Sequence, residues 1–443
     1  MTYPKTILTS KIRKAINIFL ILSFFIISPI VILYTTGYRY DFQTGQVSQT
    51  GVIGIDAEPK NAKVFLNNIE IKQDIPIRIT NLTPDVYSIR IELEGYHIWE
   101  KDINVKSKKS TFVNNISLYK KSNPIPILNS FENIVNVDFS QDGKYALLTS
   151  KKEDIYEVKL FETNSKQIST ITRTTNEEIP ETSWSPFGNS AFIKTINDTN
   201  TTIDIFSTAI PDNANSFIFE TKYLDKNIQW KNSTLPTIFI KENHKIKQLG
   251  LTGEKTITSN LNENNWFVDE KNNIWIIDNT KKSLKRLGSR QNDIPYKIGQ
   301  FGNKIIDINS QRAILNNSQK TTIIKLDTQE SETIKTNSFI FDQQNNKWIS
   351  WSPLEIWEIS ENGDSNLINR TSDRIKTVNH FNKFGVLLLT SESSISTFDR
   401  NYLLSHELLE NTAVKEISVN KKKQAIFFWG IVDGTENFFE LEY

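Results

Sequence analysis

The sequence predicts a protein that is all-β apart from one N-terminal transmembrane helix, with a small β-sandwich followed by a seven- or eight-bladed β-propeller. Three observations predict this fold class: an uncharged apolar run near the start, short alternating strands over 51–118, and a phrase that recurs beyond residue 130. The recurrence is close to the length of one four-stranded propeller blade, ~40 to 50 residues. The predicted domains are a cytoplasmic tail at 1–14, a transmembrane helix at 15–35, the sandwich at 50–119, a linker at 120–129 and the propeller at 130–443.

The apolar run at 15–34 carries no charge, and Lys11, Arg13 and Lys14 precede it. Twenty helical residues span about 30 Å, which matches the hydrocarbon core of a bilayer. Basic residues resist translocation, so we expect a single-pass protein of the cell membrane with a cytoplasmic N-terminus and extracytoplasmic domains. The alternative is a cleaved signal peptide, although its apolar region usually has only ~7 to 15 residues and ends at a small-residue cleavage site.

The charge and cysteine content exclude several kinds of site. The 443-residue chain has 52 Lys and Arg against 51 acidic residues, so it lacks the basic field that gathers nucleic-acid phosphates. We therefore expect no nucleic-acid partner. Because the sequence has no cysteine, it forms no disulfide, thiolate metal site, thiol nucleophile or acylated lipoprotein anchor. The expected membrane partner is therefore the bilayer itself, through residues 15–35.

Short strands with period-two alternation fill 51–118, and turn residues separate them. Asn67 and Asn68 form one such turn, and 81–85 form another. About seven strands without helical periodicity predict a compact β-sandwich. The expected strands lie at 52–55, 63–66, 69–72, 75–79, 87–93, 99–105 and 111–118.

This segment resembles a PEGA domain, a small envelope-associated β module. The resemblance rests on the stretches PKNA at 59–62, VFLN at 64–67, IP at 75–76, LTPDVY at 82–87 and EGY at 94–96, with Trp99. Asn61 and Asp85 stand where the family usually has Gly, in turns whose backbone Asn and Asp tolerate. The resemblance implies a membrane-anchored bacterial protein. Tyr96 and Trp99 are candidates to stack on a sugar ring, and packing in the core or at an edge is the alternative.

Beyond the predicted linker, an aromatic or aliphatic residue is repeatedly followed by a polar turn and an apolar strand. The eight phrases start at Phe139, Trp184, Trp230, Val268, Ile308, Phe341, Phe381 and Val419. Four-stranded blades bury their faces by stacking around an axis, so the rhythm predicts seven or eight blades. The copies FSQDGK at 139–144 and WSP at 184–186 resemble the WD40-like repeats of TolB-type propellers. A pair of β-sandwiches is the alternative architecture, and it predicts no regular spacing.

Motifs for catalysis, cofactors and metals are missing from the sequence. The four histidines, His97, His244, His380 and His406, have no metal-ligand spacing, and there is no G-x-S-x-G elbow, glycine-rich phosphate loop or EF-hand. Carboxylate pairs such as Asp198 with Asp204, or Glu177 with Glu178, are typical of charged turns. We therefore predict no catalytic, cofactor-binding or metal-binding residue.

Tryptophans concentrate in the repeat region, and Trp348, Trp351 and Trp357 cluster in one segment. They are candidates to stack on a sugar ring or a peptide side chain, with packing between sheets as the alternative.

The functional prediction is a membrane-anchored extracytoplasmic protein that binds or scaffolds an envelope protein or cell-wall glycan, without enzymatic activity. The alternative is an exported carboxylate-dependent glycan hydrolase or lyase with its site in the axial cleft of the propeller. A sensor is disfavoured because the short tail leaves no room for an output domain.

Overall fold

The computed structural model describes residues 10–40, 45, 47–127, 133–175, 178–231, 233–258, 261–288, 296–298 and 304–443. Residues 1–9 of the predicted tail, 128–129 of the predicted linker and Glu177 lie outside this part. The chain forms two compact units, Met1–Lys121 and Ser122–Tyr443.

The first unit begins with the helix α1, Ser10–Thr35, which contains Pro29. Its stretch Ile12–Thr35 is long and apolar enough to cross a membrane, a property that a signal sequence near the N-terminus shares. Phe19 and Phe25 are about 70% exposed, and the apolar side chains point outward on every side. A helix that is apolar all round requires an apolar environment. The sequence therefore placed the helix correctly, and its start lies five residues earlier than predicted.

A two-stranded ribbon and two small sheets complete the first unit. The ribbon pairs β1 with β2, one sheet has the order β6-β3-β9, and the other has the order β5-β4-β7-β8. The pairing is antiparallel except between β3 and β9. The strands are β1 Tyr38–Tyr40, β2 Val47–Gln49, β3 Gly51–Glu58, β4 Lys63–Leu66, β5 Ile69–Ile71, β6 Ile77–Leu82, β7 Asp85–Glu92, β8 Trp99–Val105 and β9 Ser110–Ser117.

A strand lies at each of the seven positions predicted between 51 and 118. Alternating apolar residues are buried in both sheets, as Ile53 and Ile55 in β3 and Ile89 and Ile91 in β7 show. Asn67 and Asn68 both have positive φ, 48° and 66°, and form the two-residue turn between β4 and β5. Two positive φ angles define the hairpin turn that Asn favours.

The described part of the second unit contains eight four-stranded antiparallel sheets, which we number 1 to 8. Sheets 1 to 7 each use four consecutive strands. Sheet 1 contains β11 Ile134–Phe139, β12 Tyr145–Lys152, β13 Ile155–Glu162 and β14 Gln167–Thr174, and sheet 2 contains β15 Glu181–Trp184, β16 Ser190–Ile196, β17 Asn200–Ser207 and β18 Ile210–Glu220. Sheet 3 contains β19 Leu224–Trp230, β20 Thr237–Glu242, β21 Lys245–Gly250 and β22 Gly253–Thr258, and sheet 4 contains β23 Trp266–Val268, β24 Ile274–Asp278, β25 Ser283–Arg286 and β26 Tyr296–Lys297. A short 3₁₀ helix, Thr221–Tyr223, precedes β19.

Sheets 5 to 7 continue this pattern. Sheet 5 contains β27 Lys304–Ile308, β28 Arg312–Asn316, β29 Thr321–Lys325 and β30 Ser331–Ile334. Sheet 6 contains β31 Ser338–Asp342, β32 Lys347–Trp351, β33 Glu355–Ile359 and β34 Ser365–Arg370, and sheet 7 contains β35 Thr377–His380, β36 Val386–Thr390, β37 Ser394–Asp399 and β38 Leu404–Glu410. The second strand of most sheets is buried along nearly its whole length, as in β16 and β36. Strands covered on both faces read as continuous apolar runs.

Sheet 8 joins the two ends of the second unit. It has the order β10-β41-β40-β39, where β10 is Ile125–Pro126, β39 is Thr412–Asn420, β40 is Ala425–Val432 and β41 is Thr435–Glu442. Ile125 pairs with Glu440, and the hydroxyl of Ser122 donates to the carbonyl of Glu442 over 2.5 Å. The segment predicted as a linker therefore contains a strand that pairs with the last strand of the chain.

Each sheet packs against the next through buried aliphatic and aromatic side chains. Separate clusters join sheets 1 and 2, 2 and 3, 3 and 4, 4 and 5, 5 and 6, and 6 and 7. Another cluster joins sheet 8 to sheet 1, with Phe427 and Phe438 against Val137, Leu148 and Phe161. Sheets 7 and 8 meet where the rings of Phe381 and Tyr443 lie 4.3 Å apart. The sequence of contacts therefore returns to its starting sheet.

Candidate functional site

The turns that follow the first strand of sheets 1 to 7 and β39 of sheet 8 converge on two adjoining cavities. The first, the basic cavity, has a volume of about 380 Å³ and is lined by residues of sheets 1, 2, 6, 7 and 8. The second, the aromatic cavity, has a volume of about 250 Å³ and is lined by residues of sheets 1 to 6. Gln141, Pro186, Phe341 and Gln343 line both cavities. Together the two cavities are in contact with all eight sheets.

The turn of sheet 1 shows how the local sequence builds this surface. The hydroxyl of Ser140 donates to Asp142 over 2.8 Å, and Gly143 takes a φ of 65°. A Cβ at position 143 would lie 2.4 Å from the carbonyl oxygen of Val419 in sheet 8. Only glycine meets both the left-handed backbone and this close approach. The turn therefore brings the backbones of sheets 1 and 8 together at the cavity wall.

A hydrogen bond also crosses between sheets that are far apart in sequence. The side-chain amide of Gln343 in sheet 6 donates to the carbonyl of Pro186 in sheet 2 over 2.8 Å. Sheets 2 and 6 are separated by three sheets along the chain. The bond therefore spans the region where the cavities adjoin.

A buried ion network supports the wall of the basic cavity between sheets 6 and 7. The Arg400 guanidinium lies 2.8 Å from Asp342 and 3.0 Å from Glu358, and its Nε donates to the carbonyl of Gly385. Although burial raises the pKa of Asp342, hydrogen bonds from Asn345 and Arg400 outweigh that effect and leave the pKa below its usual value. Asp342 is therefore ionised and already paired.

His380 lies beside this network and is partly buried. Its Nε2 is 3.1 Å from the carbonyl oxygen of Phe341, so Nε2 donates in this tautomer. Burial is the main reason why the pKa of His380 lies below its usual value, while Asp342 opposes the shift. The imidazole is therefore neutral at pH 7. Over the described residues, no group of three or more His, Cys, Asp or Glu side chains is arranged to hold a metal ion.

Two lysines of sheet 8, Lys421 and Lys422, line the basic cavity. Among the described residues, neither ammonium makes a direct hydrogen bond or ion pair, although the charges of Asp342 and Asp142 attract Lys421. Lys144 differs, because it lies 2.6 Å from Asp142 and that interaction raises its pKa. Desolvation lowers the pKa of Lys421. An anionic group in the cavity would give the two lysines a direct ion pair.

The aromatic cavity is lined by Trp230, Phe267, Phe341 and Trp348. The rings of Phe341 and Trp348 lie 5.2 Å apart, and the indole N–H of Trp348 donates to Asp307 in sheet 5 over 2.8 Å. Asp307 also pairs with the buried Arg312 at 2.9 Å. Because these contacts hold the indole, Trp348 presents a preorganised apolar surface. Polar side chains surround it, among them Gln229, Asn309, Asn346 and Glu361.

The predicted stacking residues occupy different environments. Trp348 lines the aromatic cavity. Trp351 is 8% exposed and packs between sheets 6 and 7, and Trp357 is half-buried with its indole N–H bonded to Glu355 at 3.0 Å. In the first unit, Trp99 is 2% exposed within the core, and Tyr96 is half-buried at a bridge to Lys120.

Sequence reasoning missed the polar residues that line the cavities, such as Gln141, Gln343 and Lys421. They occupy the turns of the recurring phrase, two positions after the residue that marks the copy. The position of the turn within the phrase was therefore an available signal. The residue types alone carried none, because polar turns are common on any surface.

A third, smaller cavity of about 130 Å³ lies between sheets 1, 6, 7 and 8. Asp138, Glu416 and His380 contribute to its lining. Burial raises the pKa of Asp138 to about 7, and the charge of Glu416 adds to this effect. The pKa of Glu416 is also raised by burial. Both carboxyl groups of this cavity therefore resist ionisation.

Among the comparisons with known proteins, the family match falls in the first unit. Residues 50–121 match the PEGA domain family. No curated protein sequence matches the chain. The solved structures that resemble it include an uncharacterized protein from Listeria monocytogenes, with 10% identity and a TM-score of 0.45 over 66% of this chain and 98% of that one. Apo AztD from Citrobacter koseri has 10% identity and a TM-score of 0.42 over 66% and 93% of the two chains. These likenesses are too low to carry a functional conclusion.

Proposed function

We propose that the eight sheets are the blades of a closed eight-bladed β-propeller. The pairing of β10 with β41 supports closure, because it completes the last sheet with a strand that precedes the first. Packing between sheets 8 and 1 supports it as well. Ring closure leaves no unprotected sheet faces, which accounts for the unbroken apolar runs of the second strands.

The proposed function is that of a membrane-anchored extracytoplasmic binding protein, which holds an envelope protein or a cell-wall glycan without transforming it. The observation that carries this proposal is the convergence of turns from all eight sheets on two adjoining cavities with aromatic and polar walls. Sites of this composition orient ligands through a few polar groups set in an apolar surface. The match of residues 50–121 to the PEGA domain is compatible with an envelope role.

The proposed orientation places the PEGA domain and the propeller outside the cell. Its support is the positive charge of Arg13 and Lys14 before the uncharged part of α1, because the positively charged flank of a membrane helix stays in the cytoplasm. The absence of cysteine is compatible with export, since no thiol needs protection from oxidation.

Capture of envelope material by the full-length protein in detergent micelles tests the binding proposal. The informative variant is Gln343→Ala together with Lys421→Ala, which changes the cavity lining at two turn positions. Lys255→Ala is the matched control, because Lys255 is exposed on the outer strand β22, away from the cavity lining. We expect the wild type and the control to capture the same protein or glycan and the double variant to lose it. Equal capture by all three proteins would overturn the proposal.

The second candidate, a carboxylate-dependent glycan hydrolase or lyase, is favoured by one observation. Asp138, with its pKa of about 7, and Glu416 line the small cavity, and a general acid needs a raised pKa. Release of reducing sugars from cell-wall polysaccharide, lost in Asp138→Asn, would establish this activity. Failure to detect release by the wild type across a panel of envelope polysaccharides would exclude it.

A further inference from the structure

The two cavities carry opposite net charge. The basic cavity is lined by four cations and two anions, which are Lys144, Arg400, Lys421 and Lys422, and Asp142 and Asp342. The aromatic cavity is lined by four anions and two cations, which are Asp269, Glu270, Asp307 and Glu361, and Lys231 and Arg312. A charge difference across two adjoining cavities selects a ligand that carries both signs at separate positions.

In the basic cavity, the charges that are not already paired are positive. Asp142 interacts with Lys144, and Asp342 interacts with Arg400. Lys421 and Lys422 make no direct ion pair among the described residues, although Asp342 and Asp142 attract Lys421 from a distance, so this cavity offers two exposed ammonium groups to an anionic group of a ligand. A carboxylate satisfies them through charge-assisted hydrogen bonds.

In the aromatic cavity, the arrangement suits a cation. The carboxylate of Glu361 has no partner in the part of the chain that the structure describes, and it lines the same cavity as Trp230, Phe341 and Trp348. A primary ammonium is attracted both by a carboxylate and by the face of an aromatic ring. Asp307 is not available for this role, because Arg312 and the indole of Trp348 already occupy it.

The wall shared by the two cavities supplies amide groups. Gln141 and Gln343 both line it, and Gln343 uses its amide nitrogen on Pro186, which leaves its carbonyl oxygen free to accept. Side-chain amides complement the N–H and C=O groups of a peptide backbone. We infer that one extended peptide occupies both cavities, with a free C-terminal carboxylate at Lys421 and Lys422 and a cationic end at Glu361 and the aromatic residues. This inference names the ligand class of the binding site under the proposed function and rests on it.

Isothermal titration of the full-length protein in detergent micelles with short synthetic peptides tests the carboxylate end. The probe is Lys-Ala-Ala-Ala with both ends free, and the comparison peptide is the same sequence with an amidated C-terminus. We expect amidation to weaken binding by about two- to fivefold, a magnitude typical of an exposed charge pair. Lys421→Ala and Lys422→Ala should each weaken binding of the free peptide and reduce the difference between the two peptides. Lys255→Ala should leave both affinities unchanged.

The cationic end is tested with Glu361→Gln and with a peptide whose first lysine is replaced by glutamine and whose N-terminus is acetylated. We expect each change alone to weaken binding by about fivefold, and the two together to have little more effect than one. Glu392→Gln is the control, because Glu392 lies in the turn between β36 and β37 and lines neither cavity. Tryptophan fluorescence of the wild type should change when the free peptide binds, and the change should be smaller in Trp348→Phe.

Two results would overturn the inference. One is equal affinity for free and doubly blocked peptides; the other is an affinity for the free peptide that Lys421→Ala, Lys422→Ala and Glu361→Gln all leave unchanged. If the peptide fails to bind while envelope glycan is still captured and the double variant Gln343→Ala with Lys421→Ala loses it, the peptide inference fails and the proposed function stands. If neither is bound, both fail.

Discussion

Replacing Gly143 with alanine tests the contact between the first and last sheets of the second unit. The added Cβ would lie 2.4 Å from the carbonyl oxygen and 2.5 Å from the carbonyl carbon of Val419, and 2.7 Å from the backbone nitrogen of Asn420. All three atoms belong to the backbone of sheet 8, so the clash cannot be relieved by turning a side chain. The sheets have to separate locally, or the turn has to change its conformation.

The expected loss of stability has two parts. The left-handed φ of 65° at position 143 costs a residue with a Cβ about 1 to 2 kcal/mol. Overpacking against a fixed backbone adds about 1 to 3 kcal/mol. Gly143→Ala should therefore lower the free energy of unfolding by about 2 to 5 kcal/mol.

Gly434→Ala is the matched control. Gly434 has a φ of 79° in the turn between β40 and β41, and a Cβ there meets no atom within 4 Å. It should therefore cost only the backbone strain, about 1 to 2 kcal/mol. The assay is urea unfolding followed by tryptophan fluorescence, with the midpoint compared at an unchanged slope. Equal losses in the two variants would refute the close approach of sheets 1 and 8.

Three further predictions follow from the buried groups of the second unit. Arg400→Met leaves Asp342 buried without its cation and should lower the free energy of unfolding, measured with urea, by about 3 to 5 kcal/mol. Arg370→Met removes an exposed ion pair and should lower it by less than about 1 kcal/mol, so similar losses in the two variants would contradict the difference in burial. Asp138 has a pKa of about 7 in the folded state but loses its proton near pH 4 in the unfolded state, so the free energy of unfolding should fall by up to about 4 kcal/mol between pH 4 and pH 7. Asp138→Asn should remove this fall, and parallel stability–pH curves for the wild type and the variant would refute the raised pKa. Trp348→Phe loses its hydrogen bond to a carboxylate of sheet 5 and should lower stability by about 1 to 3 kcal/mol, and an unchanged urea midpoint would contradict that bond.

The sequence predicted the positions of the strands well, because each position follows from local chemistry. Seven starts of the recurring phrase lie at or next to the last residue of the first strand of a sheet, as at Trp184 and Trp230, and the eighth, Val419, lies next to the last residue of β39. The phrase marks the point where an apolar strand meets a polar turn, and that change is visible in any short window. The predicted count of seven or eight repeats agrees with the eight four-stranded sheets in the described part of the second unit.

The cavities were not predictable in the same way. Gln343 and Pro186 come into contact although 157 positions separate them, and no local pattern encodes that distance. The tryptophan cluster shows the same limit. Trp348 lines a cavity and packs toward sheet 5, while Trp351, three residues on, packs toward sheet 7, because successive side chains of a strand point to opposite faces.

The predicted linker shows why sheet completion escapes sequence reasoning. Pro126 and the neighbouring polar residues are typical of a connection between domains. Pairing with β41 gives Ile125 and Pro126 their strand conformation, and the partner lies more than 300 residues later in the chain. Proline is tolerated because β10 is an edge strand of its sheet.

The most direct test of the central claim, that turns from distant sheets meet at one site, is cross-linking of engineered cysteines at 186 and 343. The natural chain has no cysteine, so Pro186→Cys with Gln343→Cys gives a single reactive pair. A short bis-maleimide should join them in the native protein and not in urea, and Pro186→Cys with Glu392→Cys should stay unlinked. Absence of the 186–343 link, with both thiols shown to react singly, would contradict the account.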